Sequence, residues 1–242
     1  MVFEVNKTHN IDCITGMRML EENSIDLIIT SPPYNNYRNR RTQKSREEYW
    51  KRTNINYDNF SDDLSDEDYE KWQIEVINEM LRVLKPTGTI CYNHKDRIFN
   101  FEVTSPLLWI FKSNAIYRQR VTWDRCGMQQ CNPVRFYRFE EDIYILGKET
   151  KGFKWNKEGA KYQSIWRIPA TRKNGHPCSF PEELVRRCIE SFSDENDIIL
   201  DPFMGSGTTG KVALENKRNF IGFEISENYC NLANGNNQRR NI

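Results

Sequence analysis

The chain has 242 residues, 38% of them hydrophobic and 29% charged, with a mean hydropathy of −0.79 and a net charge of +1. That is enough apolar material for a core and too much for a disordered chain, and the length suits one large domain over residues 1–242 or a domain with an insertion. No apolar run approaches the ~20 residues that span a bilayer, and the segment from Met1 to Lys7 lacks the basic-then-apolar pattern of a secretory signal, so a soluble, cytoplasmic protein without membrane partners is expected.

The first clear element is Ile25–Thr30, a short apolar run that reads as a strand. Ser31-Pro32-Pro33-Tyr34 ends it, because consecutive prolines cannot continue a ladder. From Asn35 to Asp58 the chain is polar, basic and aromatic without a period, which reads as a long loop. Arg38, Arg40, Arg41, Lys44, Arg46, Lys51 and Arg52 crowd this stretch, and acidic residues follow from Asp62 to Glu75. A local basic patch on a neutral protein suits a polyanion engaged on one face.

Ser65-Asp-Glu-Asp opens like a capped helix, and Trp72, Val76, Ile77, Met80, Leu81 and Leu84 continue it at helical spacing. Lys85-Pro86-Thr87-Gly88 stops it, and Thr89–Tyr92 reads as the next strand. Tyr117–Trp123 and Asp142–Leu146 are further strands, while Glu149–Gly175 reads as an irregular insertion. Pro181–Phe192 is an amphipathic helix, Asp197–Asp201 a buried strand, Thr209–Glu215 a helix and Asn219–Glu224 a strand. The polar tail from Asn234 to Ile242 is expected to fray. Strands alternating with helices predict an α/β domain with a mostly parallel sheet, whose ligands bind at the carboxyl ends of strands.

Three of those strand ends are of interest: Thr30–Tyr34, Asp201–Gly205 and Phe223-Glu224. After Asp201 comes Pro202-Phe203-Met204-Gly205-Ser206-Gly207-Thr208-Thr209, where Gly205 and Gly207 permit close approach to a ligand. Glu224 ends the next strand, where a carboxylate can accept both hydroxyls of a ribose. The loop lacks the GK[ST] of a triphosphate site and a clean GxGxxG, so a nucleoside without pyrophosphate fits it best. The other end is Ser31-Pro32-Pro33-Tyr34. The exocyclic amine of a base is nearly planar, because its lone pair is conjugated with the ring. Ser31 Oγ and the rigid Pro32 carbonyl can accept from such an amine and favour a more pyramidal nitrogen, while Tyr34 can stack on the base. The base must first leave its duplex.

Together these motifs resemble the S-adenosylmethionine-dependent DNA amino-methyltransferases, which methylate cytosine N4 or adenine N6. Asp201–Thr209 looks like the family's cofactor motif, Phe220–Ile225 like its ribose-binding strand, Ile11-Asp12-Cys13 like the segment near the cofactor's adenine, and Thr30–Tyr34 like the catalytic motif. His176–Pro181 is similar to the segment that holds the methionine end. The catalytic motif precedes the cofactor loop, the circularly permuted order of the family's β group. The resemblance implies a seven-stranded, mostly parallel sheet flanked by helices, the Rossmann-like class I methyltransferase fold. Its one antiparallel strand would involve Asp142–Gly147.

It further implies that Ser31, Pro32, Pro33 and Tyr34 are catalytic. Asp12, Cys13, His176, Asp201, Pro202, Phe203, Gly205, Ser206, Gly207, Thr208 and Glu224 would bind S-adenosyl-L-methionine. Arg38, Arg40, Arg41, Lys44 and Arg46, within a loop at about 35–60, would contact double-stranded DNA, with target recognition inserted within about 126–175. Ser-Pro-Pro-Tyr is commonest in cytosine-N4 enzymes and Asp-Pro-Pro-Tyr typical of adenine-N6 enzymes, so Ser31 favours cytosine N4. A restriction–modification role with a cognate endonuclease, a homodimer, and a bacterial, archaeal or phage source are the family's expectations. No metal is required. The seven cysteines are odd in number and form no CxxC, so they read as small apolar residues, not as a disulfide framework or zinc site. The competing readings are adenine N6, the same fold acting on RNA or a small molecule, an inactive DNA-binding module, and a dinucleotide-dependent oxidoreductase.

Overall fold

The computed structural model describes residues 2–35, 64–99, 101–127, 136, 138–170 and 181–238. The basic residues at 38–52, His176, Cys131 and Cys178 lie outside the described residues. Ten strands are described: β1 (Lys7–Asn10), β2 (Ile25–Thr30), β3 (Leu84–His94), β4 (Arg97–Phe99), β5 (Glu102–Thr104), β6 (Ile116–Asp124), β7 (Glu140–Gly147), β8 (Ile165–Arg167), β9 (Ile198–Asp201) and β10 (Asn219–Glu224). The described helices are α1 (Cys13–Arg18), α2 (Asp66–Val83), α3 (Leu107–Ile110), α4 (Glu182–Phe192), α5 (Thr208–Glu215) and α6 (Glu227–Gln238).

Eight strands form one sheet in the order β1-β10-β9-β2-β3-β7-β6-β8, and β4 and β5 form a separate hairpin. Within the large sheet only β7 runs antiparallel to its neighbours, β3 and β6. The expected antiparallel strand is therefore present. The expected count of seven is exceeded by β8, which adds to the free edge of β6 from within Glu149–Gly175. That segment is not wholly irregular: it also holds a 3-10 turn, Lys157–Lys161. Its first part packs at the amino ends of the strands, where Lys154 N donates to Thr87 O (2.9 Å) and Lys154 Nζ meets Asp197 (2.6 Å).

Central strands covered on both faces need apolar residues throughout, and every residue of β2 is buried. Ile28 joins one core with Met17, Val76, Met80 and Ile90, under α1, α2 and α3. Leu27 and Ile29 join the other with Val185, Ile189, Val212 and Ile199, under α4 and α5. Asp26 is tolerated in this strand because Lys85 Nζ (2.7 Å) and Ile198 N (3.0 Å) donate to it. From β2 the chain winds to β3 on one side, and from β9 it winds to β10 on the other. The β2/β9 boundary is thus the topological switch point, where open α/β sheets form their ligand crevice.

Two ends differ from the sequence reading. Lys85–Gly88 does follow the end of α2, but it belongs to β3, whose register against β2 shifts between Ile25 and Leu27. Asn234 does not fray: it lies within α6, and its side chain bridges Thr8 N and Thr8 O (both 2.9 Å) on β1. The start of α2 is as read, with Ser65 Oγ accepting from Asp68 N (3.0 Å). Ser65→Ala should cost about 1 kcal/mol of stability, read as a lower urea midpoint at unchanged slope.

Candidate functional site

The carboxyl ends of β2 and β9 are joined by a buried side chain. Asp201 Oδ1 accepts from Thr30 Oγ1 (2.9 Å) and from Phe203 N (3.1 Å), and Oδ2 accepts from Thr209 Oγ1 (2.6 Å). One carboxylate therefore ties the strand before Ser31, the turn after β9 and the first turn of α5. Both oxygens are occupied and the residue is 2% exposed, so Asp201 holds the loop in shape from beneath. Burial raises its pKa to about 6 against the three hydrogen bonds that lower it.

Beyond Asp201, the buried Pro202 begins the turn and Phe203 packs edge-on against Trp72 (5.7 Å between centroids). Gly205 (φ 55°) and Gly207 (φ 89°) take left-handed conformations that favour glycine. A Cβ on Gly207 would sit 2.9 Å from Ala233 Cα, so α6 closes one side of the loop. Asn236 Nδ2 donates to Ser206 O (3.1 Å), and Thr208 opens α5. Glu224 faces this loop from the end of β10. Its carboxylate accepts from Gly205 N (2.8 Å) and Ser226 N (2.9 Å), and burial raises its pKa. The residue is half-buried, so those two bonds aim the carboxylate and leave acceptor capacity for a ligand.

The Asp12 segment reaches the same place through β1, where Asn10 pairs with Glu224 and Ile11 N donates to Glu224 O (3.2 Å). Asp12 caps α1 by accepting from Thr15 N (2.9 Å), and Cys13 is buried, which raises its thiol pKa. The structure thus brings Asp12, Phe203, the glycines and Glu224 together along one edge.

Tyr34 lies on the other side of β2. Its hydroxyl meets Ser31 Oγ (2.8 Å), Asn93 Oδ1 (2.8 Å) and Glu141 Oε2 (3.0 Å), and its ring lies 4.6 Å from the His94 ring. Asn93 is held by Asp142 O (3.1 Å) and Glu141 by Arg125 (3.0 Å). The Pro33 carbonyl accepts from Tyr69 Oη (2.6 Å), whereas among the described residues no donor reaches the Pro32 carbonyl. Asn35 Nδ2 donates to Leu64 O (2.8 Å), pinning together the two ends of the segment 36–63.

Thr30 and Thr209 lay in the two motifs without a role of their own, and Asn93, His94, Glu141 and Tyr69 were not singled out by sequence. Asn93 and His94 were within reach of the strand-end rule, but the strand was read as ending at Tyr92. Nothing local marks Glu141 or Tyr69; topology alone brings them to Tyr34. The raised pKa of Asp201 has a definite sign. Its folded value lies above the ordinary ~3.9, so its contribution to stability is full below pH ~4 and declines as pH rises through about 6. Carboxylate ¹³C shifts of the labelled protein should give Asp201 a midpoint near 6, and a midpoint below 4.5 would contradict this geometry.

Comparison with known proteins shows the family. A family profile described as DNA methylase, of the N6/N4 group, matches residues 25–235. Type II methyltransferase M.BglII from Bacillus subtilis is 28% identical over 95% of this chain and 68% of that protein. DNA adenine methyltransferase YhdJ of Escherichia coli (strain K12) is 25% identical over 92% of this chain and 79% of that protein. The cytosine-N4-specific PvuII DNA methyltransferase has the same fold, with a TM-score of 0.72 and 18% identity over 93% of this chain and 84% of that one. Enzymes of the matched family transfer methyl groups from S-adenosylmethionine to DNA. A chain matched over residues 25–235, with both motifs at its topological switch point, belongs to the N6/N4 DNA methylase family.

Proposed function

We propose that this enzyme methylates the exocyclic N4 of cytosine in duplex DNA, by extruding the base and transferring the methyl group directly. The observation that carries the reading is the Thr30–Asp201 bond, which sets the Ser31–Tyr34 turn beside the glycine loop at the switch point. The loop suits an adenosyl group. It presents backbone with little side chain, and Glu224 is already oriented to accept two ribose hydroxyls. Phe203, Gly205, Ser206, Gly207, Thr208, Glu224, Asp12 and Cys13 are proposed to line the cofactor site, with Asp201 and Pro202 shaping the turn and His176 reaching the methionine end. When bound, S-adenosylmethionine supplies an electrophilic methyl group on a sulfonium.

The chain's own residues do the rest by placement. Ser31 Oγ–H can donate to Tyr34 Oη, which leaves the Ser31 lone pairs free to accept from a base amine. The Pro32 carbonyl is the second acceptor, because Tyr69 already occupies that of Pro33. Tyr34 supplies the stacking face, held at its hydroxyl end by Asn93 and Glu141. Holding donor and acceptor in line removes much of the barrier. No thiol need attack the ring, since the substrate nitrogen is itself the nucleophile. Cys13 and Cys91 are buried with raised pKa values, unlike an activated cysteine.

Ser31 and the cytosine-N4-specific structural relative support cytosine; the adenine-specific relative supports adenine N6 as the second reading. We place target recognition in those parts of 126–175 that lie at the carboxyl ends of the strands, near Arg138 and Arg167, because 149–161 packs at the opposite edge. Arg38, Arg40, Arg41, Lys44 and Arg46 are proposed to contact phosphate. A role beside a cognate endonuclease is supported by the Type II designation of M.BglII. Incubating unmethylated duplex DNA with labelled S-adenosylmethionine and digesting it to nucleosides should give labelled N4-methylcytosine. Labelled N6-methyladenine would establish the second reading, and unlabelled DNA would overturn both. Tyr34→Ala should lose base stacking worth roughly 1–3 kcal/mol, slowing methylation about ten- to a hundredfold while cofactor affinity stays unchanged.

A further inference from the structure

The Pro32–Pro33 pair has four backbone dihedrals. Ring closure fixes φ at both prolines. The ψ of Pro32 is restricted because another proline follows it. Only the ψ of Pro33 is left open by covalent structure. That angle sets the Pro33 carbonyl and, beyond it, the direction in which Tyr34 leaves the turn. The Pro33 carbonyl is the group that Tyr69 holds, at 2.6 Å.

The Tyr69 hydroxyl has one proton and meets, among the described residues, Pro33 O, His94 Nε2 (2.8 Å) and Gln73 Nε2 (2.7 Å). A carbonyl can only accept, so the proton goes to Pro33. His94 Nε2 must then donate to Tyr69 Oη, as the Gln73 amide does. The ring therefore carries its proton on Nε2, and Nδ1 accepts from Lys95 N (2.9 Å), although Lys95 O also lies 2.8 Å from Nδ1. Gln73 is oriented in turn by Tyr92 Oη (2.7 Å) and Tyr92 by Trp109 Nε1 (3.0 Å), so the chain of donors has one consistent direction, toward Pro33. His94 also packs against Tyr34, the residue whose backbone this chain directs.

We propose that Tyr69 and His94 are positioning residues: His94 donates to the Tyr69 hydroxyl, which thereby fixes the last free dihedral of the Pro32–Pro33 turn and aims Tyr34 at the target base. Neither residue touches the reacting atoms. The proposal rests on the methyltransferase reading for its consequence but not for its geometry. Burial of His94 pushes its pKa down to about 3, so the ring is neutral across the working range.

Tyr69→Phe keeps the ring and removes the hydroxyl, both the proton given to Pro33 O and the acceptor of His94 and Gln73. It should lower kcat roughly 10- to 100-fold, the effect of an unheld carbonyl, with KM for S-adenosylmethionine and DNA affinity nearly unchanged and Tm lowered, because the buried His94 and Gln73 N–H groups lose their acceptor. His94→Gln, which keeps a neutral donor, should retain more kcat than His94→Leu. Wild-type kcat in Tyr69→Phe, or equal losses in the two His94 variants, would overturn the proposal. Imidazole ¹⁵N spectra of the wild-type protein give a readout free of activity: the proton of His94 should lie on Nε2, and a proton on Nδ1 would overturn the proposal whatever the enzyme methylates. A wild-type protein with the Nε2 proton but no methyl transfer would remove the methyltransferase reading and leave this arrangement standing.

Discussion

The hydrogen bond from Thr30 to Asp201 is the constraint on which the site depends. Thr30 and Asp201 are 171 positions apart, yet they lie side by side where the winding of the sheet reverses. Pairing of β2 with β9 brings the two strand ends together, and this bond ties the Ser31–Tyr34 turn to the glycine loop beyond the last paired residues. Burial of Asp201 has an electrostatic cost that raises its pKa and that three donors offset only in part. The same carboxylate fixes the turn after β9 and the start of α5, so the loop's shape and its distance from Ser31 are set by one group.

Around this junction the two halves are built differently. The proposed cofactor side is mostly backbone: left-handed glycines, a carboxylate aimed by two N–H groups, and α6 closing it at Ala233. The proposed base side is mostly side chain, with Tyr34 held at its hydroxyl by Asn93 and Glu141 and across its ring by His94. This division follows the chemistry. A nucleoside needs close approach and a diol acceptor, whereas an extruded base needs a rigid flat face and acceptors placed to within a fraction of an ångström. Stiffness on that side comes from the two prolines and from the donor chain through Trp109, Tyr92, Gln73 and Tyr69.

Much of the fold and of the geometry at the strand ends was legible in the sequence, because the groups proposed to bind or react sit in short local motifs. The β2 strand, the Ser65 cap, the α5 helix after its glycines and the β10 strand ending in Glu224 all follow from patterns within about ten residues. The strand-end rule then selected the ends of β2, β9 and β10 and missed that of β3, at Asn93 and His94. What was not legible is non-local. β1 and α1 are too short to carry a period, and their place is set by pairing with β10. β8 is a three-residue strand stabilised by the edge of β6. Asn93, Glu141 and Tyr69 acquire their roles only because β3, β7 and α2 converge behind Tyr34. Asp201 was read as a cofactor residue from the motif, and the structure gives it the supporting position beneath the loop.

The most direct test of the central claim is a crystal structure of the chain with S-adenosylhomocysteine. The account expects the ribose hydroxyls on Glu224 and the sulfur turned across the Thr30–Asp201 junction toward the Pro32 carbonyl. A ribose bound away from Glu224, or a sulfur directed away from that junction, would contradict it.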